Sequence, residues 1–487
     1  MLPTTTFLTT AASADLHTLL PEIFVCAATF ALLMVDLTLS QTRRGLVHFL
    51  ALLILVGAAV LTARDMPSLP VHAFSDFFVR DVAGDVLKLG MYVVTALVFF
   101  YGKPFLIDRD LFKGEFYALI LFAMLGMMLM VSAGGMVTLY LGLELLALSA
   151  YGLVAMDRDN PVASEAAMKY FILGSLASGL LLYGMSMVYG ATGSLQFDAI
   201  HAAGGANQGL LLLGMVFVLA GIAFKFGAAP FHMWLPDVYQ GAPTAVTLFI
   251  GSVPKLAAFG MAYRMLDSGL AAVGADWQPM LAGMAALSLL IGNVVALAQT
   301  NFKRLLAYST ISHVGFLFMG LANGSPNGFS AAMFYALSYA LTAAAAFAAI
   351  LLLSRRGFDA DNIADFRGLW QSHPRQALLI LFVMASLAGV PPFLGFWAKL
   401  VVIKAALDAG MVWLAILSVV CAVIGAFYYL RLIRAMFFEE AEGLGPQLQS
   451  DSHLRVAFAL NASALLLLGV FSEPLLNWCQ KAFLGPG

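Results

Sequence analysis

Charged residues are scarce in this chain. Only 11% of its 487 residues are Asp, Glu, Lys or Arg, whereas 62% are hydrophobic. An ordinary globular domain carries about 25% charged residues. The sequence also lacks low-complexity tracts and any polar linker long enough to separate soluble domains. These absences exclude a water-soluble multidomain protein and indicate one continuous body embedded in a membrane.

Cysteine is nearly absent as well. Cys26, Cys421 and Cys479 lie far apart in apolar runs. This spacing fits neither a disulfide framework nor a metal or iron–sulfur site, and no glycine-rich phosphate-binding loop occurs. We therefore predict that this chain binds no metal, nucleotide or flavin, and that its cysteines are small buried side chains.

What the sequence does contain is a series of apolar runs of about 20 residues, the length that crosses a bilayer as a helix. These runs predict an all-α polytopic membrane protein with fourteen transmembrane helices. The longer connection from Pro67 to Asp85 is expected to form a small ordered turn. The predicted helices lie near residues 18–40, 46–63, 82–101, 115–132, 135–156, 161–190, 207–240, 244–266, 279–300, 303–322, 328–354, 376–408, 411–437 and 455–480.

Basic residues are distributed unevenly over the predicted loops. If the N-terminus faces outward, the inner loops hold fifteen Lys and Arg residues and the outer loops hold five. Cytoplasmic loops carry an excess of Lys and Arg, so we predict that both termini face the outside and that the loop from Arg355 to Pro374 faces the cytoplasm. Lys88, near the start of its helix, is expected to extend to the surface.

Two lysines lie inside the apolar stretch from Gly221 to Gly260. A charge within the membrane costs at least about 2.5–3.5 kcal/mol and is retained mainly where it functions. Between Lys225 and Lys255, the residues Gly227 and Pro230 interrupt the first run, and a short amphipathic piece follows. A helix break at membrane depth is tolerated only where protein or water satisfies the backbone. Charge and break together indicate an ion path.

A similar interruption occurs later in the chain, at Gly389, Pro391 and Pro392. APFHMW at 229–234 resembles PPFLGFW at 391–397, and Lys399 follows the second motif closely. Five predicted helices separate the two runs, so the runs cross in opposite directions. This pattern predicts two inverted five-helix repeats, each containing a broken helix. The predicted divisions are an N-terminal three-helix segment 1–114, repeats 115–266 and 267–438, and a C-terminal loop and helix 439–487.

The buried ionisable residues fall at successive depths. With a rise of about 1.5 Å per residue, Glu144 lies roughly 19 Å and Lys169 roughly 12 Å from the inner face, which predicts an ion pair between them. Lys255 and His313 lie near the midplane, and Lys399 is closest to the outer face. The predicted proton path comprises Glu144, Lys169, Lys225, Lys255, His313 and Lys399.

Each of these residues also has a purely structural explanation. Glu144 could serve only as the partner of Lys169, and Lys225 could simply pack. His313 could be a hydrogen-bonded core residue, while Lys255 could likewise be structural and Lys399 could extend to the membrane surface. The residues His232 and Trp234 either belong to the path as accessories or only anchor the amphipathic piece.

The motifs around these residues resemble those of a known family. They are similar to the antiporter-like subunits of respiratory complex I and of the multisubunit sodium/proton antiporters, and they extend from the third to the thirteenth predicted helix. The motifs are LGLELLALSAYGLVA around Glu144, EAAMKYFILG around Lys169, FKFGAAPFHMWLPDVYQGAPT around Lys225, QTNFKRLLAYSTISHVG around His313 and SLAGVPPFLGFWAKL around Lys399.

The resemblance implies a proton-translocating membrane subunit of a bacterial NADH:quinone oxidoreductase. Its partners would be the inner-membrane lipid bilayer and other membrane subunits of complex I, including further antiporter-like subunits, and no nucleic acid. NADH, FMN, iron–sulfur clusters and quinone would be bound by partner subunits, so this chain would carry out no redox chemistry itself. A sodium/proton antiporter subunit and a non-translocating structural subunit are the alternatives.

Overall fold

The structure is a computed structural model that describes residues 14–40, 43–204, 207–441 and 445–484. Helices form nearly all of it, and a hairpin of β1 (Val71–Ala73) and β2 (Phe78–Arg80) forms the expected ordered turn, with Val71 opposite Arg80. The first ten helices are α1 (Leu20–Thr38), α2 (Gly45–Arg64), α3 (Val82–Asp108), α4 (Gly114–Val131), α5 (Met136–Val154), α6 (Pro161–Thr192), α7 (Phe197–Ala203), α8 (Gln208–Phe226), α9 (Trp234–Gly241) and α10 (Thr244–Ser252). The others are α11 (Pro254–Tyr263), α12 (Gly274–Leu297), α13 (Phe302–Ala322), α14 (Pro326–Leu353), α15 (Leu369–Ser372), α16 (Pro374–Ala388), α17 (Leu394–Asp408), α18 (Val412–Phe438), α19 (Ser452–Val470) and α20 (Glu473–Leu484).

The predicted fold class, an all-α polytopic membrane protein, is confirmed. Within the described ranges, thirteen helical spans are long and apolar enough to cross a membrane, with α10, α11 and the π-helical turn Arg264–Gly269 counted as one span. The remaining predicted run, 376–408, is divided into α16 and α17, each of which has 15 residues. The inverted relation between the repeats, and the domain boundaries, stay predictions.

Two predicted helix boundaries are wrong. The run 82–101 continues as α3 to Asp108, through Pro104. The final run, 455–480, is two helices rather than one, because α19 ends at Val470 and α20 begins at Glu473. Pro474 stands in the first turn of α20, where a proline favours the start of a helix but cannot continue one from before.

The most deeply buried helices lie in the middle of the chain. In α13, in α14 and in the span from α10 to Gly269, 94% of the membrane-length window is buried. By contrast, only 28% of the α1 window is buried. His313 on α13 and Lys255 on α11 therefore lie where surrounding helices exclude lipid on all sides.

A charge cluster near the β-hairpin overturns the prediction for Lys88. This side chain is fully buried and does not extend to the surface; its ammonium lies 2.7 Å from Glu22 on α1 and 3.4 Å from Asp85. Arg80 and Arg264, which the sequence placed in outer loops, are buried too, and pair with Asp85 and with Asp81. We call these six residues the hairpin cluster: Glu22, Arg80, Asp81, Asp85, Lys88 and Arg264.

The hairpin cluster has three acidic and three basic side chains and so carries no formal net charge. It also satisfies buried carbonyls near two helix C-termini, because Arg80 donates to the carbonyl of Thr62 at 3.1 Å and Arg264 donates to that of Val131 at 3.0 Å. These contacts tie α1 and α2 to α3, α4 and the end of α11. The cluster thus joins the N-terminal helices to the body that carries the buried lysines.

Candidate functional site

The first helix break separates α8 from α9. Helix α8 ends at Phe226, and Gly227 follows with φ +74°, a left-handed conformation in which a side chain would be strained. The chain then turns through Pro230 before α9 begins at Trp234. The ammonium of Lys255 donates to the carbonyl of Phe226 at 2.7 Å. A lysine from the following membrane span therefore holds the open carbonyl end of α8.

The second break, between α16 and α17, has the same construction. Helix α16 ends at Ala388, and Gly389 has φ +84°. The chain turns through Pro391 and Pro392 before α17 begins at Leu394. Here Lys399 donates to the last carbonyls of α16, those of Leu387 at 3.0 Å and of Ala388 at 2.9 Å.

Both breaks place a buried ammonium at a helix C-terminus. Unpaired carbonyls and the negative end of the helix dipole make such a terminus favourable for a cation. Lys255 is 2% exposed and Lys399 is 8% exposed, so neither reaches the membrane surface. The carbonyls at each break can therefore hold the lysine ammonium in place.

Glu144 and Lys225 line one small cavity between α5, α6 and α8. Its volume is about 20 Å³, enough for one water molecule. Glu144 accepts a hydrogen bond from Ser178, whose hydroxyl oxygen lies 3.2 Å from that of Tyr140 and can accept from it. The Glu144 carboxylate acts electrostatically on Lys225. The structure thus brings together an acid and a base with room for a bridging water.

The predicted ion pair between Glu144 and Lys169 is wrong. The ammonium of Lys169 instead lies 2.8 Å from Asp237 on α9 and 2.8 Å from Glu165 on its own helix. The reasons are a separation of roughly 13 Å along the axis of α6, at about 1.5 Å per residue, and rotation about that axis. Glu144 meets α6 at Ser178, nine positions beyond Lys169, and at roughly 100° per residue these two side chains point to opposite sides of the helix.

Asp237 is a charged residue that the sequence analysis missed. It accepts from Lys169 at 2.8 Å and from Arg304 on α13 at 2.8 Å. The three side chains hold α6, α9 and α13 together at the end of the first broken segment. The amphipathic sequence of α9 indicated that its polar face contacts other polar groups. It did not indicate which residues those partners are.

His313 lies in a group of hydroxyl-bearing side chains. Its Nδ1 is 2.6 Å from the hydroxyl of Tyr335, and its Nε2 is 3.1 Å from that of Tyr429. A neutral imidazole donates from one nitrogen and accepts at the other, so a proton can enter on one side and leave on the other. A cavity of about 10 Å³ lies beside His313, and it is also lined by Ser386 and Gly395 from the two helices that flank the second break.

The two accessory residues are placed differently. Trp234 lines the cavity of Glu144 and Lys225, donates from Nε1 to the carbonyl of Phe224 at 3.0 Å, and lies with its ring centroid 5.8 Å from the ammonium of Lys255. His232 has a buried Nδ1 without a hydrogen-bond partner among the described residues. Within the same residues, no group of three His, Cys, Asp or Glu side chains could hold a metal ion.

A bundle of membrane helices with two broken helices, each holding a buried lysine, defines an antiporter-like membrane protein. Residues 133–425 match the family described as NADH:quinone oxidoreductase/Mrp antiporter, TM. The chain is 53% identical over 484 residues to NADH-quinone oxidoreductase subunit N of Xanthomonas euvesicatoria, covering 99% of each chain. It belongs to the NADH-quinone oxidoreductase subunit N family.

Solved structures agree with this assignment. A chain of respiratory complex I from Thermus thermophilus is 33% identical, with a TM-score of 0.81 over 94% of this chain and 98% of that one. A chain of an archaeal membrane-bound sulfane sulfur reductase is 26% identical, with a TM-score of 0.85 over 96% of this chain and 97% of that one. The same architecture therefore occurs in respiratory membrane complexes with different redox reactions.

Proposed function

We propose that this chain is a proton-translocating membrane subunit of a bacterial NADH:quinone oxidoreductase. The observation that carries the proposal is the pair of helix breaks, each with a buried lysine bound to the open helix end. A structural scaffold would gain little from an ammonium buried at membrane depth without a carboxylate partner, because apolar packing there costs less. Redox chemistry, and with it NADH, FMN, iron–sulfur clusters and quinone, belongs to partner subunits.

The proposed path begins at Glu144 and Lys225. The carboxylate favours a protonated Lys225, and a change in their separation releases that proton. Lys255 is the next acceptor, since Lys225 and Lys255 are close enough to influence each other electrostatically. The proton then passes by way of His313 and the hydroxyl-bearing side chains around it to Lys399. Lys399 interacts electrostatically with His313. Lys255 can accept this proton only after it has released its own and become a neutral amine, so the steps are ordered.

Lys169 keeps a place in the proposal, but a different one. It is bound by Asp237 and Glu165, and it therefore does not serve as the partner of Glu144. We propose that it fixes α9 relative to α6, so that Trp234 closes the cavity containing Lys225. Trp234 and His232 then act as accessory residues by shaping the break.

The source of driving energy separates the proposed function from a sodium/proton antiporter. In vesicles that contain the assembled complex, we expect proton translocation that requires NADH and a quinone and that persists without sodium. The reason is that the buried lysines offer ammonium donors, whereas a sodium ion needs a set of oxygen ligands. Proton movement driven by a sodium gradient alone, without NADH, would favour the antiporter.

We also propose that the chain lies in the bacterial inner membrane with both termini on the periplasmic side. Leu69 is 71% exposed on the hairpin side, and the Arg356 side chain is 80% exposed in the loop predicted to be cytoplasmic. In spheroplasts, a membrane-impermeant maleimide should label Leu69→Cys but should label Arg356→Cys only after permeabilisation. The unmodified chain gives the background from Cys26, Cys421 and Cys479. Labelling of position 356 in sealed spheroplasts would reverse the orientation.

A further inference from the structure

A loop covers the end of α13 that is predicted to face the cytoplasm. The loop between α14 and α15 runs along the turn that precedes α13, where the amide of Phe302 donates to the carbonyl of Asp361 at 2.5 Å and the amide of Ile363 donates to that of Thr300 at 3.1 Å. These backbone contacts fix Asp361 directly over Lys303, the second residue of α13.

Lys303 is buried in spite of its position at a helix end. It is 4% exposed, and its ammonium donates to the carbonyl of Ala242 at 3.0 Å. Ala242 follows α9 directly, so this carbonyl closes the first broken segment. Thr247 also donates to it, at 3.3 Å. Lys303 therefore lies between the covering loop and the interior, at a third helix C-terminus.

The carboxylate of Asp361 has one oxygen 3.8 Å from the Lys303 ammonium. Its other oxygen, Oδ1, is buried and has no hydrogen-bond partner among the described residues. Leaving a charged oxygen buried and unpaired costs free energy. The side chain as a whole is still 23% exposed, so water on the loop side reaches it. A carboxylate with an unused buried oxygen and access to water is suited to take up a proton.

Electrostatics at Asp361 favour the same role. Burial raises the pKa of Asp361 above its ordinary value, although the Lys303 ammonium opposes this shift; Asp359 and Asp365 add to it, and Arg109 opposes it. A raised pKa brings the carboxyl closer to the pH of the surrounding water, where it can both accept and release a proton.

Polar groups continue from Lys303 along one face of α13. Thr310 lies seven residues further, about two turns, and accepts from the hydroxyl of Tyr339 at 2.8 Å. The ring of Tyr339 is 5.0 Å from that of His313. The hydroxyl of Tyr239 is buried without a hydrogen-bond partner in the described part of the chain; Tyr339 acts on it electrostatically, and the Thr310 hydroxyl lies close enough to interact with it. This face therefore leads from the loop to His313.

We propose that Asp361 and Lys303 form a proton-uptake site that supplies His313 by way of Tyr239, Thr310 and Tyr339, separately from Glu144 and Lys225. The inference rests on the proposed function. It gives the second broken helix its own entrance from the cytoplasmic side, so that Lys399 can be loaded without a proton crossing the first break.

The transfer conserves protons and charge at each step. The Asp361 carboxylate takes one proton from water and becomes neutral. The Lys303 ammonium gives a proton inward, toward the unpartnered Tyr239 hydroxyl through a water molecule, and becomes a neutral amine. That amine then takes the proton of the Asp361 carboxyl, which restores both starting forms. Each cycle moves one proton inward and leaves the charges of Asp361 and Lys303 unchanged.

The test measures NADH-driven, quinone-dependent proton translocation by the assembled complex while the pH on the cytoplasmic side is varied. Asp361→Asn should translocate at nearly the normal rate near about pH 6 and fall by about tenfold near about pH 8, because an uptake carboxylate matters most where free protons are scarce. Asp361→Glu should restore the normal profile. Added formate, a small weak acid that can deliver protons, should partly restore Asp361→Asn.

The matched control is Asp110→Asn. This exposed residue lies between α3 and α4, 3.7 Å from Arg356, and it is not among the charged groups that act on Asp361, so its substitution removes the same charge and also breaks a contact. We expect no change in its pH profile. Lys303→Arg separates relay from structure, since arginine keeps the charge and the donor but does not release its proton. If Lys303 relays protons, Lys303→Arg should lose proton translocation. If Lys303 only contacts the carbonyl of Ala242, Lys303→Arg should translocate protons normally.

The outcomes distinguish this inference from the proposed function. If Asp361→Asn and Asp110→Asn have the same profile while Lys225→Arg is inactive, the uptake site is wrong and the main path stands. If Lys225→Arg also translocates normally, the proposed path through the first break loses its first step as well. If the Asp361→Asn complex does not assemble, the variants Lys303→Arg and Asp361→Glu test the uptake site instead. Normal proton translocation by Lys303→Arg would overturn it.

Discussion

Replacement of Lys225 by arginine or by alanine is expected to reduce coupled proton translocation by about tenfold or more, since loss of a positioned proton-transfer group typically costs two orders of magnitude or more. Arginine keeps the positive charge beside Glu144 but does not deprotonate. Alanine removes both the charge and the donor. If Lys225 relays protons, both variants fail for the same reason, which is that no proton can be released toward Lys255. NADH-driven proton translocation in vesicles, normalised to assembled complex, measures this loss.

The control for Lys225 is Lys404, an exposed lysine on α17. Lys404→Arg and Lys404→Ala make the same chemical changes outside the proposed path, and both should translocate normally. If Lys225→Arg translocates normally while Lys225→Ala does not, the ammonium of Lys225 only balances the charge of Glu144. Such a result would leave Lys225 a structural cation and would remove the first step of the path.

The helix breaks could be predicted because their cause is local. Gly227 and Gly389 each precede a proline by two or three residues within an apolar run, and each adopts the left-handed conformation that ends a helix. A long run that contains such a pair cannot form one straight helix. The nearby lysines were also visible in the sequence, since a charge in an apolar run stands out. Their contacts with the open carbonyls were not.

Neither relative depth nor rotation about the helix axis could be predicted for this pair. A rise of about 1.5 Å per residue placed Glu144 and Lys169 within about 7 Å in depth, whereas Glu144 meets α6 at Ser178, nine residues or roughly 13 Å beyond Lys169. The side of α6 on which Lys169 points depends on which helices surround it. In the structure Ser178 faces Glu144, and Lys169 faces α9. Asp237 became its partner because α9 turns back toward α6 after the break.

Pairs between distant parts of the chain were the least predictable. Nothing local in the sequence connects Glu22 with Lys88 or Lys303 with Asp361, because each pair is joined only when separate helices and loops pack. An apolar sequence around a lysine predicts that the lysine is buried. It does not distinguish a lysine that translocates protons from one that forms a structural ion pair. The surroundings decide between these roles: the ammonium groups of Lys255 and Lys399 donate to backbone carbonyls and have no carboxylate partner among the described residues, whereas Lys88 lies between two carboxylates.

The substitution Lys88→Met is therefore expected to destabilise the protein rather than to block a proton path. It leaves Glu22 buried without its ammonium partner and removes one of two cations from Asp85. Breaking a buried ion pair from one side costs about 3–5 kcal/mol, because an uncompensated charge stays in a low-dielectric site. We expect much less intact complex and a lower dissociation temperature. The complex that does assemble should translocate protons at a normal rate per molecule.

A matched control is Lys481→Met, the same change at an exposed position on α20, which should shift stability by no more than about 0.5 kcal/mol. The double variant Lys88→Met with Glu22→Gln removes both partners, and it should recover part of the lost stability because the uncompensated carboxylate is gone. If Lys88→Met is as stable as Lys481→Met but translocates poorly, Lys88 belongs to a proton path. The hairpin cluster would then be a third charged site in the membrane, and its role in joining α1 to the body would be secondary.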